Sequence, residues 1–270
     1  MSKVVEKLES DIKDLEKSNS EINYKIGIQT REIDKLKTDE AKSLNQLNKD
    51  REELSRLNSE YALIDNKIIN TTTKIKSLES VIENFEGYSK STKSFMSYAK
   101  NRNIFVGELI GPVGGNLKVR KEYETAINIA LGAAVQNIIV RRQSAVYDMI
   151  SVLKKNNYGR VTFIPIDTVL QSKLNFDLEP YKSKGILNYA DSLIEVDDEL
   201  KNIFSYLLGK IVIAKDYESA LNFSNRTNNR FRVVTLDGES LNVGGTITGG
   251  SNKNFYSVLS RNVELDTLKR

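Results

Sequence analysis

Arg232-Val233-Val234-Thr235-Leu236-Asp237-Gly238 reads as a β-strand closed by a turn: three β-branched residues and a leucine, then the turn-forming pair Asp-Gly. Upstream, Leu207-Leu208-Gly209 ends a helix and leads into Ile211-Val212-Ile213, with a helical stretch over 216–228 before the quoted run. The same order occurs once earlier in the chain. Ala130-Leu131-Gly132 precedes the strand Ile138-Ile139-Val140, and a helix over 143–156 leads to Arg160-Val161-Thr162-Phe163-Ile164-Pro165-Ile166-Asp167. Helix, Leu-Gly, strand, helix, Arg-Val strand and Asp therefore appear twice, which predicts two similar subdomains of mixed α/β structure. Expected strands are 104–110, 137–141, 161–164, 211–214 and 232–236; expected helices are 89–101, 121–131, 143–156, 197–208 and 216–228.

The first 85 residues obey a different rule. They contain no proline and one glycine, Gly27. Every seventh residue from Val5 to Ile82 is apolar except Asn19 and Glu40. The companion positions from Leu8 to Phe85 are apolar except Gln29, Ser43, Asp50 and Thr71. A seven-residue repeat held over twelve heptads without a phase shift predicts a left-handed coiled coil about 125 Å long. Residues 258–270 again look helical, with Leu259, Val263, Leu265 and Leu268 as apolar positions. So short a return leaves most of the seam without a partner inside the chain, which reads as a fragment.

Composition narrows the chemistry. The chain has no cysteine and no histidine, so thiolate nucleophiles, Cys-ligated metals and the commonest general base are all excluded. Asp167, Asp237 and Glu239 are the candidate carboxylates of a small-enzyme reading, although Asp237-Gly238 reads better as a turn. No apolar stretch approaches the ~20 residues of a membrane span. A soluble, cytoplasmic setting is expected.

The net charge of +4 is uneven. Residues 98–165 carry ten basic and four acidic residues, and Lys100, Arg102, Lys118, Arg120, Lys121, Arg141, Arg142, Lys154, Lys155 and Arg160 form this excess. They are candidate phosphate contacts, with Arg141-Arg142 and Lys154-Lys155 preferred; ordinary solvated surface remains the other reading. Any binding would be backbone-directed and insensitive to sequence.

Gly244-Gly245-Thr246-Ile247-Thr248-Gly249-Gly250-Ser251 looks like a phosphate loop but has Ser251 where that loop needs lysine. Two glycine pairs around Thr-Ile-Thr suit either close approach of another backbone, such as a neighbouring subunit's sheet edge, or two tight turns at strand ends. Gly111-Pro112-Val113-Gly114-Gly115 reads as a plain loop.

Together, Arg232–Gly238, Gly244–Ser251, Ala130-Leu131-Gly132 and Gly159–Pro165 closely resemble, in the same order, the hinge of structural maintenance of chromosomes (SMC) proteins. The resemblance spans about residues 100–252. It implies a two-subdomain α+β hinge preceded by a long coiled-coil arm. The expected boundaries are 1–85 arm, 86–103 transition helix, 104–170 first subdomain, 171–185 linker, 186–252 second subdomain and 253–270 start of the returning arm.

The resemblance further implies a homodimer, joined at Gly244, Gly245, Thr246, Ile247, Thr248, Gly249 and Gly250, which touches DNA through basic residues. In that family, ATPase heads made from the chain ends work with a kleisin and accessory subunits on chromosomes at the nucleoid. ATP and magnesium are expected only at those heads, since no head motif is present here; for this stretch no cofactor and no enzymatic activity are expected. The zinc-hook repair ATPases also join long coils at a tip, but they need a Cys-x-x-Cys that this chain lacks. A coiled-coil adaptor whose globular end binds a protein partner is the competing reading.

Overall fold

A computed structural model describes residues 2–174, 176–250 and 258–269. It divides into two compact units, residues 1–70 and 71–270.

The first unit is helix alone. Helix α1 runs unbroken from Ser2 to Glu83, and through residue 70 it leaves its seam open: Ile12, Ile22, Leu36, Leu54, Leu57 and Ile68 are all exposed.

The end of α1, in the second unit, shows why the repeat stops where it does. Phe85, the last seam residue, takes a left-handed φ of 54°. The amide of Glu86 bonds the carbonyl of Val81 while that of Phe85 bonds Ile82, which is a Schellman close. Phe85 thereby leaves the helix and packs with Phe95 and Met96 of α2 (Lys90–Arg102). Asparagine at φ 51–53° closes three further helices in the same way, with Asn103, Asn157 and Asn228 at the left-handed position.

Two sheets follow. In the first, β1 (Leu109–Pro112) runs antiparallel to β3 (Ile138–Val140), which pairs in parallel with β4 (Phe163–Pro165). Between β1 and β3 lie β2 (Lys118–Val119) and α3 (Glu124–Leu131), and α4 (Val146–Lys155) makes the crossover to β4. In the second, α5 (Glu179–Lys182) leads to β5 (Ile186–Tyr189), then come β6 (Ile194–Glu195), α6 (Lys201–Leu208), β7 (Ile211–Ala214), α7 (Tyr217–Arg226) and β8 (Arg232–Thr235). Strand β5 is antiparallel to β7, and β7 is parallel to β8. This half then adds β9 (Ser240–Leu241) and β10 (Ile247–Thr248), giving the order β10-β9-β8-β7-β5. Helix α8 (Val258–Lys269) is the last described element; Lys74 pairs with its Glu264 at 2.5 Å and Lys269 with Glu79 at 2.6 Å.

The halves repeat down to a defect. β1 has an irregularity between Leu109 and Gly111 against β3, and β5 has one between Ile186 and Asn188 against β7. Matching these registers aligns Val140 with Ala214, Pro165 with Thr235 and Asp167 with Asp237. The two Arg-Val pairs quoted above are therefore not equivalent: Arg232 matches Thr162, and Arg160 matches Arg230. β2 and β6, at corresponding places in the two halves, pair with each other, Lys118 opposite Glu195 and Val119 opposite Ile194.

The strand expected over 104–110 forms only from Leu109. Phe105 (φ 60°) and Gly107 (φ 80°) turn the chain there, because Ile104 supplies the amide that closes α2 and Phe105 stacks on Phe95 at 6.2 Å. The stretch 171–185, expected as a linker, contains α5 and packs Phe176, Leu178 and Tyr181 against Phe223 and Phe231. One core serves both halves, with Val113, Ile127, Ile139 and Ile164 in the same cluster as Ile203, Phe204, Ile213 and Val234.

Candidate functional site: an open sheet edge and a basic surface

The glycine segment makes the last hairpin of the second sheet. Asn242 donates its amide to the carbonyl of Thr246 at 2.8 Å and accepts from the amide of Gly245 at 3.0 Å. Gly244 and Gly245 lie at φ 85° and 93°, where side chains are strained, so this first pair is accounted for by the turn itself. The amide of Gly244 also ties back to the carbonyl of Asn229 at the end of α7. The second pair follows β10. Gly249 has an ordinary φ, and a Cβ there would sit 3.4 Å from Glu239; Gly250 is at φ 141° with open space around it.

β10 ends its sheet, so among the described residues one side of its backbone has no strand beside it. Every residue from 243 to 250 is exposed, and two are large and apolar: Val243 at 64% and Ile247 at 51%. A short, uncovered edge carrying apolar side chains can accept another strand.

The candidate cations fall into two groups. Some are committed within the molecule. Arg141 makes a two-point pair with Glu199, 2.7 and 3.3 Å, which joins the end of β3 to the turn before α6. Arg142 pairs with Glu108, whose carboxyl it holds below the usual carboxylate range chiefly by hydrogen bonding, while its own proton is bound more tightly in return. Lys100 lies 3.8 Å from Glu83, and Arg102 lies over the ring of Tyr98.

Lys118, Arg120, Lys121, Lys154, Lys155 and Arg160 are exposed, with no carboxylate in ion-pair range among the described residues. The first three meet where β2 borders a groove of about 440 Å³, whose other wall is α8 with Leu259, Val263 and Asp266. Sequence spacing alone offered no reason to rank this trio above Arg141 and Arg142, because Glu199 is 58 residues from the arginine it neutralises.

The carboxylates of the enzyme reading do not converge. Asp167 accepts from the amide of Gln143 at 3.0 Å, Glu239 accepts from the hydroxyl of Thr235, and Asp237 sits in the turn after β8. Among the described residues, no group of acidic side chains could hold a metal ion. No helix among them is long and apolar enough to cross a membrane.

A family model described as "SMC proteins Flexible Hinge Domain" matches residues 107–224. "Chromosome partition protein Smc" of Halothermothrix orenii is 36% identical over 195 residues, covering 72% of this chain and 16% of the relative. The protein so named from Bacillus subtilis is 32% identical over 196 residues, again 72% of this chain and 16% of the relative. The chain thus spans about a sixth of the length of these curated relatives. A solved structure, an asymmetric dimer of the Geobacillus stearothermophilus SMC hinge domain, is 30% identical, covers 76% of this chain and 82% of its own, and superposes with a TM-score of 0.67.

Proposed function

The chain belongs to the SMC family, its globular unit being that family's hinge, and from this premise we propose that the unit joins two such chains through the open β10 edge. The observation that carries the reading is the exposed stretch 243–248, the edge of its sheet among the described residues, with Val243 and Ile247 facing solvent. Strand addition would give this edge further main-chain hydrogen bonds, and a two-fold arrangement would use the patch twice. Gly249 and Gly250, without side chains, would let the second backbone approach. The Geobacillus hinge, similar in sequence and fold, is a dimer in its crystal.

In this reading the stretch is a mechanical part of a longer chromosome-partition protein and performs no chemistry of its own. ATP hydrolysis, magnesium, kleisin and accessory subunits belong to heads outside it, and the setting is the nucleoid in the cytoplasm. DNA contact falls to Lys118, Arg120 and Lys121, with Lys154 and Lys155 as a second group, since Arg141 and Arg142 already have carboxylate partners. Contacts from such lysines and arginines reach phosphates and carry no sequence information.

The deciding experiment is the solution mass of residues 71–270, the globular unit, by light scattering over a concentration series. A mass twice that of the unit supports the joint. A monomer at every concentration moves self-association to the exposed seam of α1, and the coiled-coil adaptor reading then leads.

A further inference from the structure

We propose that Arg232 is a positioning residue for the joining edge, holding the β9–β10 hairpin in place from α3 in the other half of the hinge. The inference rests on the reading of β10 as the joining edge. Arg232 is the first residue of β8 and is half-buried. Its Nη2 donates to the carbonyl of Ile129 at 2.9 Å and its Nη1 to that of Ala130 at 3.0 Å. These carbonyls lie in the last turn of α3, among the terminal carbonyls that an α-helix leaves without a partner of its own. The guanidinium is thus anchored at two points, and its planar fork fixes where the third donor must point.

That third donor, Nε, faces the hydroxyl of Ser240 at 3.3 Å. Ser240 is 4% exposed and stands opposite Thr248 of β10. Its hydroxyl donates to Oδ1 of Asn242 at 3.2 Å, and Nδ2 of Asn242 donates to the hydroxyl of Thr246 at 3.3 Å. A continuous run of hydrogen bonds therefore leads from the end of α3 to the first residue before β10.

A second contact presses on the same place. A Cβ on Gly238, in the turn between β8 and β9, would come within 3.2 Å of Thr125 and 3.6 Å of Ile129, so this turn rests directly on α3. The other end of α3 is held by α8, whose Ser260 donates to Glu124. The strand that joins the chains is thus aligned by a helix that reaches the root of the returning arm. Strand pairing tolerates no slip, since one residue of shift reverses every side chain. A fixed hairpin lowers the ordering cost of association.

Two variants separate positioning from simple helix capping. Arg232→Met removes both roles, whereas Ser240→Ala keeps the α3 cap and removes only the run to the hairpin. Amide exchange over 240–248 and dimer dissociation are measured on the full chain, alongside circular dichroism. Expected in both variants are faster exchange across the hairpin and dimer dissociation raised about tenfold, the loss of one hydrogen bond to a charged group. Asn242→Ala, at the partly exposed end of the run, should do the same. Combining it with Ser240→Ala should add little, because both break one run.

Exchange and dissociation unchanged in Ser240→Ala and Asn242→Ala would overturn the proposal and leave Arg232 a helix cap. If these variants speed hairpin exchange while Ile247→Glu leaves the dimer intact, the positioning stands and the joining-edge reading falls. If Ile247→Glu breaks the dimer but the run variants alter neither readout, the positioning falls alone.

Discussion

Replacing Ile247 with glutamate should separate the chains while leaving each one folded. In the single chain Ile247 is 51% exposed on the last strand of its sheet, so the substitution falls among surface changes, typically within about 0.5 kcal/mol of neutral. In the joined form the outcome differs. Fully burying an isoleucine contributes about 1.5–3 kcal/mol, and roughly half of that remains to be gained when the exposed half is covered. Two-fold symmetry counts it twice, giving about 2 kcal/mol lost in the dimer. Two carboxylates placed without partners at a dry edge add at least another ~2 kcal/mol by desolvation and mutual repulsion.

The total of about 4 kcal/mol corresponds to roughly a thousandfold weaker association. Sedimentation equilibrium on residues 71–270, which excludes the seam of α1, reads this directly, and circular dichroism reads folding. A dissociation constant within a factor of three of the parent protein would refute the assignment of the edge. Glutamate at Gly245 is a poorer probe, because at φ 93° any side chain strains the turn before a partner arrives.

Other outcomes follow from the same geometry. Reversing Lys118, Arg120 and Lys121 to glutamate should weaken DNA binding and lessen its salt dependence, while Arg141→Met should change DNA affinity little; fluorescence anisotropy at several salt concentrations checks both. Phe223→Ala, which empties the centre of the Phe176–Tyr181–Phe231 cluster, should cost about 3–5 kcal/mol in denaturant unfolding with the dimer interface untouched. Asp216 accepts the amide of Ser219 at the start of α7, which lowers its pKa. Its contribution should therefore be fully present above the ordinary aspartate value of about 3.9 and fade as pH falls through the lowered one. The difference in thermal midpoint between the parent and Asp216→Ala should then shrink below about pH 4.

How much of this was legible beforehand varies with the range of the interaction. The arm was written in the sequence, because a seven-residue repeat is a local code and nothing distant needs to be known to read it. Its end was less so: Phe85 continues the heptad yet leaves the helix and packs against the cluster that holds Phe95 and Met96 of α2. The duplicated halves were visible through their recurring order, but the quoted Arg-Val pairs misaligned them by two residues. Only backbone pairing, with its irregularities at Leu109/Gly111 and Ile186/Asn188, fixes the correspondence. β2, β5, β6 and β9 were not among the expected strands; β2, β6 and β9 are pairings of two residues, too short to show a period.

By itself, then, the sequence determined the kind of molecule: a long heptad helix, a twice-repeated α/β unit, no residues for thiol or imidazole chemistry, and glycines flanking Thr246-Ile247-Thr248. Tertiary structure decided what those residues can do. It neutralised Arg141 with Glu199, gathered Lys118, Arg120 and Lys121 beside α8, and assigned Gly244 and Gly245 to a turn that leaves β10 open. It also brought Arg232 to the end of a helix some hundred residues earlier in the chain. Charge neutralisation, edge exposure and helix capping depend on which atoms meet, and residues far apart in sequence meet only when the fold has closed.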